Sequence, residues 1–234
     1  LLLDLVEPSL SHLTAPSCSA ADLVIEVCDT ASTGVPLPGG HSATLFRGEL
    51  LQLSNGQIVA QYLSQLGLLT VLNREEKTAI VWLKDAATFP WNERAATLKY
   101  VFHLWFRGEG IQLVHAGAVG VPEGGVLLIG RGGSGKSTTS LACVQAGMVY
   151  AGDDYVMCST TAPITAYSVT NSAKLDAKSV QLLPSFRPMI HHFEEHPPQK
   201  GIAFLHPFLP HVLVSQLRIS AIVLPKTSAA PQAS

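Results

Sequence analysis

The chain has 234 residues, of which 47% are hydrophobic, and these are enough to bury one large core or two unequal ones. Its formal net charge of -2 gives no basic surface for nucleic acid or an anionic membrane, and every apolar stretch is interrupted before it reaches the length of a membrane span. Charged residues make up only 14%, which points to an absent partner or to the interface of a homo-oligomer.

The opening residues and the cysteines favour a cytoplasmic protein. Asp4 and Glu7 interrupt the leucine-rich start, which therefore lacks the pattern of a signal peptide. Because the first residue is Leu, we expect the translated chain to begin elsewhere. The cysteines, which show no paired spacing, stand at positions 18, 28, 143 and 158. Such spacing is typical of a reducing compartment.

Residues 1–91 have the pattern of a separate, mostly β module. Short runs rich in β-branched or aromatic residues alternate with turn residues such as Ser54-Asn55-Gly56, which is typical of strands joined by tight connections. The predicted strands cover residues 21–27, 43–46, 57–62, 68–72 and 78–83. A β-meander is the simplest arrangement for them.

A helix is predicted at the start of the next part of the chain, residues 92–226. Asn92 is its expected N-cap, and Leu98, Val101 and Trp105 follow helical spacing as far as Gly108. We expect the helix to pack on the domain formed by residues 92–226, with its aromatic side chains in the core.

Residues 111–115 read as a strand that ends in small residues and carries His115. An imidazole titrates in the range useful for acid–base chemistry, but a histidine in such a place is also common as a core or edge residue. From the residues alone, both interpretations stay open.

A phosphate-binding loop is the strongest motif of the chain. An apolar strand at 126–129 leads into a sequence that fits G-x-x-x-x-G-K-[ST], and a helix is predicted from Thr138 to Ala146. Glycines let backbone amides reach phosphate oxygens, and the helix N-terminus adds partial positive charge. We expect Lys136 to reach the β- and γ-phosphates of a nucleotide and the Ser137 hydroxyl to ligate Mg²⁺. The predicted nucleotide-binding residues are Gly130, Arg131, Gly132, Gly133, Ser134, Gly135, Lys136, Ser137 and Thr138.

Two adjacent carboxylates follow the next strand. The apolar run at 148–151 precedes Gly152-Asp153-Asp154, and a right-handed crossover makes this strand parallel to the one before the phosphate loop. Both carboxylates are therefore expected beside the metal and the γ-phosphate, where one can hold Mg²⁺ while its neighbour accepts a proton. Gly-Asp-Asp also suits an ordinary turn.

The remaining third of the chain carries weaker signals. Strands are predicted at 164–169, 202–205 and 219–224, a surface loop that could close over an acceptor at 186–201, and a flexible tail at 227–234. Four basic residues are candidates for a phosphate clamp, with Lys174 and Arg218 favoured over Arg187 and Lys200. Spacing does not predict a zinc site among His191, His192, His196, His206 and His211.

Three landmarks together resemble the catalytic domain of HPr kinase/phosphorylase and its kinase-like relatives. They are the run Val114-His115-Ala116-Gly117-Ala118-Val119, the loop from Gly130 to Ser137, and Ala151-Gly152-Asp153-Asp154. The resemblance covers about residues 100 to 225 and implies a P-loop kinase domain of the type shared with ATP-dependent phosphoenolpyruvate carboxykinase. It implies that Asp153 is the base, that Asp154 is a metal-binding or structural carboxylate, and that His115 lies near the reacting phosphate.

The chain also departs from the family pattern. HPr kinases carry an acidic residue after the Lys-Ser of the phosphate loop and a downstream signature rich in Glu, Arg and Gly, whereas Thr138 and Thr139 follow here and no such signature is present. These departures favour an acceptor other than HPr.

The sequence therefore predicts an α/β kinase that uses ATP and Mg²⁺ and phosphorylates a hydroxyl of a protein, a peptide or a small molecule. Asp153, Lys136 and His115 are the predicted catalytic residues, and Ser137 and Asp154 the predicted metal ligands. The alternatives are a P-loop hydrolase or switch and a nucleotide-binding module without catalysis. No Asn-Lys-x-Asp guanine-reading sequence supports the first, and the paired aspartates speak against the second.

Overall fold

A computed structural model describes residues 2–37, 54–191 and 200–226, which form a mixed α/β structure with three sheets. The chain divides into two units, one made of Leu1–Pro8 and Thr14–Arg107 and the other of Ser9–Leu13 and Gly108–Ser234. The strand expected at 43–46, His192, His196 and the tail at 227–234 lie outside the described residues. The α-helices are α1 (Leu2–Leu10), α2 (Thr30–Thr33), α3 (Lys99–Phe106), α4 (Lys136–Gln145) and α5 (Ala177–Leu182).

The β-branched runs of the first unit form a four-stranded sheet in the order β1-β4-β3-β2. Its strands are β1 (Val24–Asp29), β2 (Ile58–Leu63), β3 (Leu68–Asn73) and β4 (Thr78–Leu83). β2, β3 and β4 form the expected antiparallel meander, and β1 joins it in parallel with β4. Leu68, Leu72 and Leu83 are fully buried.

The helix predicted from Asn92 is divided in two. Trp91–Ala96 is a 3-10 helix, and α3 begins only at Lys99 without a side-chain cap. α3 lies against β3 within the first unit. The Arg74 guanidinium, which follows β3, donates hydrogen bonds to the carbonyls of Leu104, Trp105 and Arg107 at the end of α3.

The second unit contains a seven-stranded sheet in the order β5-β9-β10-β14-β7-β6-β8 and a three-stranded sheet in the order β11-β13-β12. The strands are β5 (Ile111–Val114), β6 (Ala116–Val121), β7 (Gly124–Ile129), β8 (Val149–Gly152), β9 (Val156–Ser159), β10 (Thr165–Tyr167), β11 (Ser172–Leu175), β12 (Ile190–His191), β13 (Gly201–Phe204) and β14 (Gln216–Val223).

The order of β7, β6 and β8 decides which residues meet at one edge. β6 pairs antiparallel with both neighbours, so β7 and β8 run in the same direction, as predicted. The carboxyl ends of β7 and β8 and the amino end of β6 therefore share one edge of the sheet. Ala116 at the start of β6 lies opposite Ile129 at the end of β7, and Ala118 lies opposite Gly152 at the end of β8.

The seven-stranded sheet has apolar side chains on both faces. On one face, Val119, Leu128 and Tyr150 pack with Leu141 of α4 and Leu175 of β11 in one buried cluster. A second cluster belongs to the other face, with the members Ala116, Ala118, Leu127, Ala151, Val156, Cys158, Ala166 and Leu217. The continuous apolar composition of β7 follows from this burial on two sides.

Residues Ser9–Leu13 are fastened into the second unit by polar contacts. The carbonyl of Ser9 accepts hydrogen bonds from both the amide and the side-chain nitrogen of Asn171, each at 2.9 Å. His12 Nε2 lies 2.6 Å from Ser168 Oγ, and Ser11 Oγ lies 2.9 Å from a ring nitrogen of His206.

Across the described ranges, no helix combines the length and the apolar character that crossing a membrane requires. The four cysteines are all free thiols.

Candidate active site

The phosphate loop connects β7 to α4. Gly133 and Gly135 have φ values of +79° and +95°, a conformation that glycine adopts without strain, and Gly135 stands directly before the helix. A Cβ placed on Gly132 or Gly133 would meet no atom within 4 Å, so this part of the loop borders open space. The buried Lys136 ammonium donates to the carbonyls of Gly130 at 2.7 Å and Arg131 at 3.3 Å.

Asp153 lies directly after β8 and is only 1% exposed. Among the described residues, neither of its carboxylate oxygens accepts a hydrogen bond of normal geometry, although the Ser137 hydroxyl and the Asp154 amide lie close enough to influence the carboxylate. Burial and the neighbouring Asp154 charge raise the pKa of Asp153, and they outweigh the Ser137 hydroxyl, the Asp154 amide and Lys136, which act in the opposite direction. The carboxylate is thus held beside the phosphate loop with free lone pairs and an increased affinity for a proton.

Asp154 turns the chain sharply between β8 and β9. Its φ is +66°, and the Tyr155 amide donates to the Asp153 carbonyl at 2.8 Å, which closes a γ-turn centred on Asp154. A γ-turn with positive φ is rare, and such backbone strain costs on the order of 1–3 kcal/mol. The turn sends two adjacent carboxylates into different surroundings.

Each oxygen of Asp154 has a side-chain nitrogen as its partner. Oδ1 lies 2.9 Å from His115 Nε2, and Oδ2 accepts a hydrogen bond of 2.7 Å from Lys174 Nζ. Burial opposes ionisation of Asp154, but the hydrogen bond from His115 and the charge of Lys174 outweigh it and hold the pKa of this carboxyl well below its usual range. Asp154 is therefore ionised at neutral pH.

His115 occupies the junction between β5 and β6. Its side chain is 48% exposed, and the ring stacks on Tyr155 with centroids 5.4 Å apart and an interplanar angle of 25°. The structure therefore brings His115 together with the phosphate loop and the aspartates at one sheet edge.

The predicted metal ligands are compatible with Mg²⁺. Mg²⁺ bound with a nucleotide takes one or two carboxylates together with phosphate oxygens and waters. The ionised Asp154 keeps unused lone pairs, and the Ser137 hydroxyl lies at the start of α4, near the unpaired Asp153 oxygens. Within the described part of the chain, no group of three or more His, Cys, Asp or Glu side chains is arranged to hold a metal without such a nucleotide.

Thr138 is joined to α5 through its side chain. Its hydroxyl lies 2.8 Å from Ser179 Oγ, and the Ser179 hydroxyl donates to Asp176, the N-cap of α5. Thr138 therefore fastens α4 to α5 at the loop end of the helix. Arg131 is exposed in the loop.

Of the four candidate clamp residues, the structure brings Lys174 to the site. Arg218 lies next to Ile219, which pairs with Gly125 at the start of β7, so it is about 16 Å of strand away from the loop that follows Ile129. The expectation that Arg218 contributes to a phosphate clamp is therefore wrong. Arg187 is exposed on the 3-10 helix Pro184–Met189, and Lys200 interacts electrostatically with Asp176.

Sequence reasoning missed the tight contact beneath Asp153. A Cβ on Gly117 would overlap Ser140 Oγ and lie 3.3 Å from Asp153 Oδ1, so only glycine lets α4 and the carboxylate approach β6 this closely. Gly117 belongs to a small-residue strand, a signal that indicates close packing without naming the partner. No signal in the sequence indicated that Lys174 would pair with Asp154.

A separate cavity of about 400 Å³ lies at the other end of α4, beside Val144 and Gly147. Apolar side chains such as Met148 and Phe186 line most of it. Its position at the C-terminal end of the helix separates it from the phosphate loop.

Comparison with solved structures shows a distant likeness to a known protein. No protein-family model and no curated protein matches the chain. The structure of the HPr(Ser) kinase/phosphatase from Coxiella burnetii matches 52% of this chain and 70% of its own, with 19% sequence identity and a TM-score of 0.37. A functional assignment therefore depends on the geometry of the site.

Proposed function

We propose that this chain is an ATP-dependent kinase that transfers the γ-phosphate to a hydroxyl acceptor, either a serine of a protein or peptide or a small serine-like molecule. The observation that carries the proposal is the meeting of three groups at one edge of the seven-stranded sheet. The phosphate loop follows β7, His115 precedes β6, and the aspartate pair follows β8. A loop that only held a nucleotide would not need the two carboxylates beside it.

The loop residues bind the triphosphate. The backbone amides of the loop and the Lys136 ammonium stabilise the phosphate oxygens, and the N-terminus of α4 contributes its partial positive charge. Ser137 and Asp154 would hold Mg²⁺, which supplies positive charge to the β- and γ-phosphate oxygens.

The two aspartates differ in the way that acid–base catalysis requires. Environments that push the pKa values of two neighbouring groups apart assign them different roles. The raised pKa and free oxygens of Asp153 suit a base, whereas the low pKa of Asp154 suits a carboxylate that stays ionised. As the acceptor oxygen bonds to the γ-phosphorus, the bond from phosphorus to the β–γ bridging oxygen breaks, ADP leaves, and the acceptor proton passes to Asp153.

The test is transfer of label from γ-labelled ATP in the presence of Mg²⁺, with protein, peptide and free serine acceptors offered separately. We expect label in an acceptor with the unsubstituted chain and a loss of roughly 100-fold or more with Asp153→Asn. Glu123→Gln is the matched control, because it removes an exposed carboxylate at the far end of the β6–β7 hairpin. Release of free phosphate alone would identify a hydrolase instead, and ATP binding without turnover would identify a binding module.

A further inference from the structure

The γ-turn at Asp154 is held from outside the turn. Two other elements reach it: the β5–β6 junction through His115 and β11 through Lys174. Because the turn is strained, its carboxylate contacts oppose relaxation of the backbone between Asp153 and Tyr155.

Lys174 is held in this position by the strand that carries it. Its side chain is 14% exposed, and β11 carries it in a four-residue antiparallel ladder with β13. On the same strand, the Ser172 carbonyl accepts a hydrogen bond of 2.7 Å from the buried Tyr150 hydroxyl of β8. β11 thus contacts the chain on both sides of Asp153. Its Ser172 carbonyl binds Tyr150, which precedes Asp153, and its Lys174 binds Asp154, which follows.

We propose that Lys174 is a positioning residue of the kinase site: by anchoring Asp154, it fixes the strained turn that presents the free carboxylate oxygens of Asp153 beside Ser137. This inference rests on the kinase function proposed above and adds a residue to it. Lys174 acts through Asp154, and it does not need to touch the nucleotide.

If Lys174 instead contacted a phosphate group, its removal would have a different effect. An experiment can therefore separate a phosphate contact from a positioning role. A phosphate contact contributes to ATP affinity, and its loss raises the Kd for ATP. Loss of a positioning contact displaces the base, and a displacement of about 1 Å lowers the rate by roughly 100-fold without weakening ATP binding.

The experiment compares Lys174→Met and Lys174→Arg with the unsubstituted chain. Lys178→Met is the matched control, since Lys178 is an exposed lysine on the first turn of α5. We expect Lys174→Met to lower kcat roughly 10- to 100-fold. The Kd for ATP, measured by calorimetry without Mg²⁺ so that the proposed metal ligand Asp154 does not contribute, is expected to change by less than about 3-fold. Lys174→Arg restores the cation, so it is expected to recover a large part of kcat. A Kd raised about 10-fold with normal kcat would show a phosphate clamp and overturn the proposal, as would an unchanged kcat.

A second readout does not depend on catalysis. Exchange of the Tyr155 amide hydrogen reports on the γ-turn, because this amide donates to the Asp153 carbonyl. We expect Lys174→Met, but not Lys178→Met, to speed this exchange at least about 10-fold. If the unsubstituted chain transfers no phosphate, the kinase function fails while this measurement still decides whether Lys174 fixes the turn; unchanged exchange overturns the positioning role.

Discussion

Gly117 is the residue at which β6, α4 and Asp153 come closest together. An added methyl group would overlap Ser140 Oγ and press on Asp153 Oδ1. We predict that Gly117→Ala destabilises the second unit by about 1–3 kcal/mol, as overpacking of a tight core does, and lowers phosphate transfer by displacing the carboxylate. Thermal unfolding and the labelled-ATP assay measure the two effects.

Ser140, the residue on the other side of this contact, provides the control for Gly117→Ala. Ser140 Oγ is buried without a hydrogen-bond partner among the described residues, so Ser140→Ala alone is expected to cost little. Combined with Gly117→Ala, it removes the overlapping atom and should recover most of the lost stability. If the double variant is as unstable as Gly117→Ala, the Ser140 contact is not the cause.

At the scale of residues, the sequence is informative where a local pattern carries the chemistry. The glycine spacing before Lys136 and the position of Asp153 and Asp154 after a strand both predict a shared sheet edge, because parallel strands end at the same edge. Lys174 and Arg218 show what a local sequence pattern does not reveal. Both are basic residues at element boundaries, and only the pairing of β11 and β14 places one at the site and the other at the opposite edge.

At the scale of elements, the stability that the Ser9–Leu13 segment gives to the second unit is expected to depend on pH. Burial, with a smaller contribution from the charge of His206, lowers the pKa of His12 from 6.5 to about 4. Between these values the unfolded chain binds a proton that the folded chain does not, so the free energy of unfolding falls as the pH decreases from 6.5 to 4. After allowance for solvent screening, the effect is on the order of 1 kcal/mol.

Urea unfolding at a series of pH values measures this dependence. His12→Gln retains a polar side chain opposite Ser168 but cannot titrate, so its stability should decline less steeply over the same range. An identical slope for the two proteins would contradict the assignment to His12.

The strands predicted at 57–62, 68–72 and 78–83 form the meander, since alternating turn residues and β-branched runs act locally. The strand predicted at 21–27 lies parallel to β4 instead. The helix expected from Asn92 shows that contacts between residues distant in sequence compete with the local pattern. Its apolar spacing is helical throughout, yet the helix proper begins at Lys99 and is fixed to β3 by Arg74, a contact that no local pattern contains. Helix α1 was missed because Pro8 and the polar residues around it resemble a loop.

For the whole molecule, the proposed nucleotide binding implies that ligand concentration and stability are linked. A ligand that binds only the folded state adds stability that grows with the logarithm of its concentration, about 2.7 kcal/mol at 100 times the Kd. We therefore predict that Mg-ATP raises the unfolding temperature of the second unit by several degrees, measured by calorimetry. Lys136→Ala removes the buried ammonium at the loop and should abolish most of this increase. An equal increase in the variant would show that the nucleotide binds elsewhere.

The placement of Ser9–Leu13 has a consequence for synthesis on the ribosome. Ser9 and its hydrogen-bond donor Asn171 are 162 residues apart, so the acceptor leaves the ribosome long before the donor is made. In a chain that lacks Ser9, two nitrogens of the fully buried Asn171 would lose this acceptor, and each unpaired donor costs about 1–3 kcal/mol. The second unit thus closes on residues that were translated long before most of it, and a fragment beginning at Gly108 would lack them permanently.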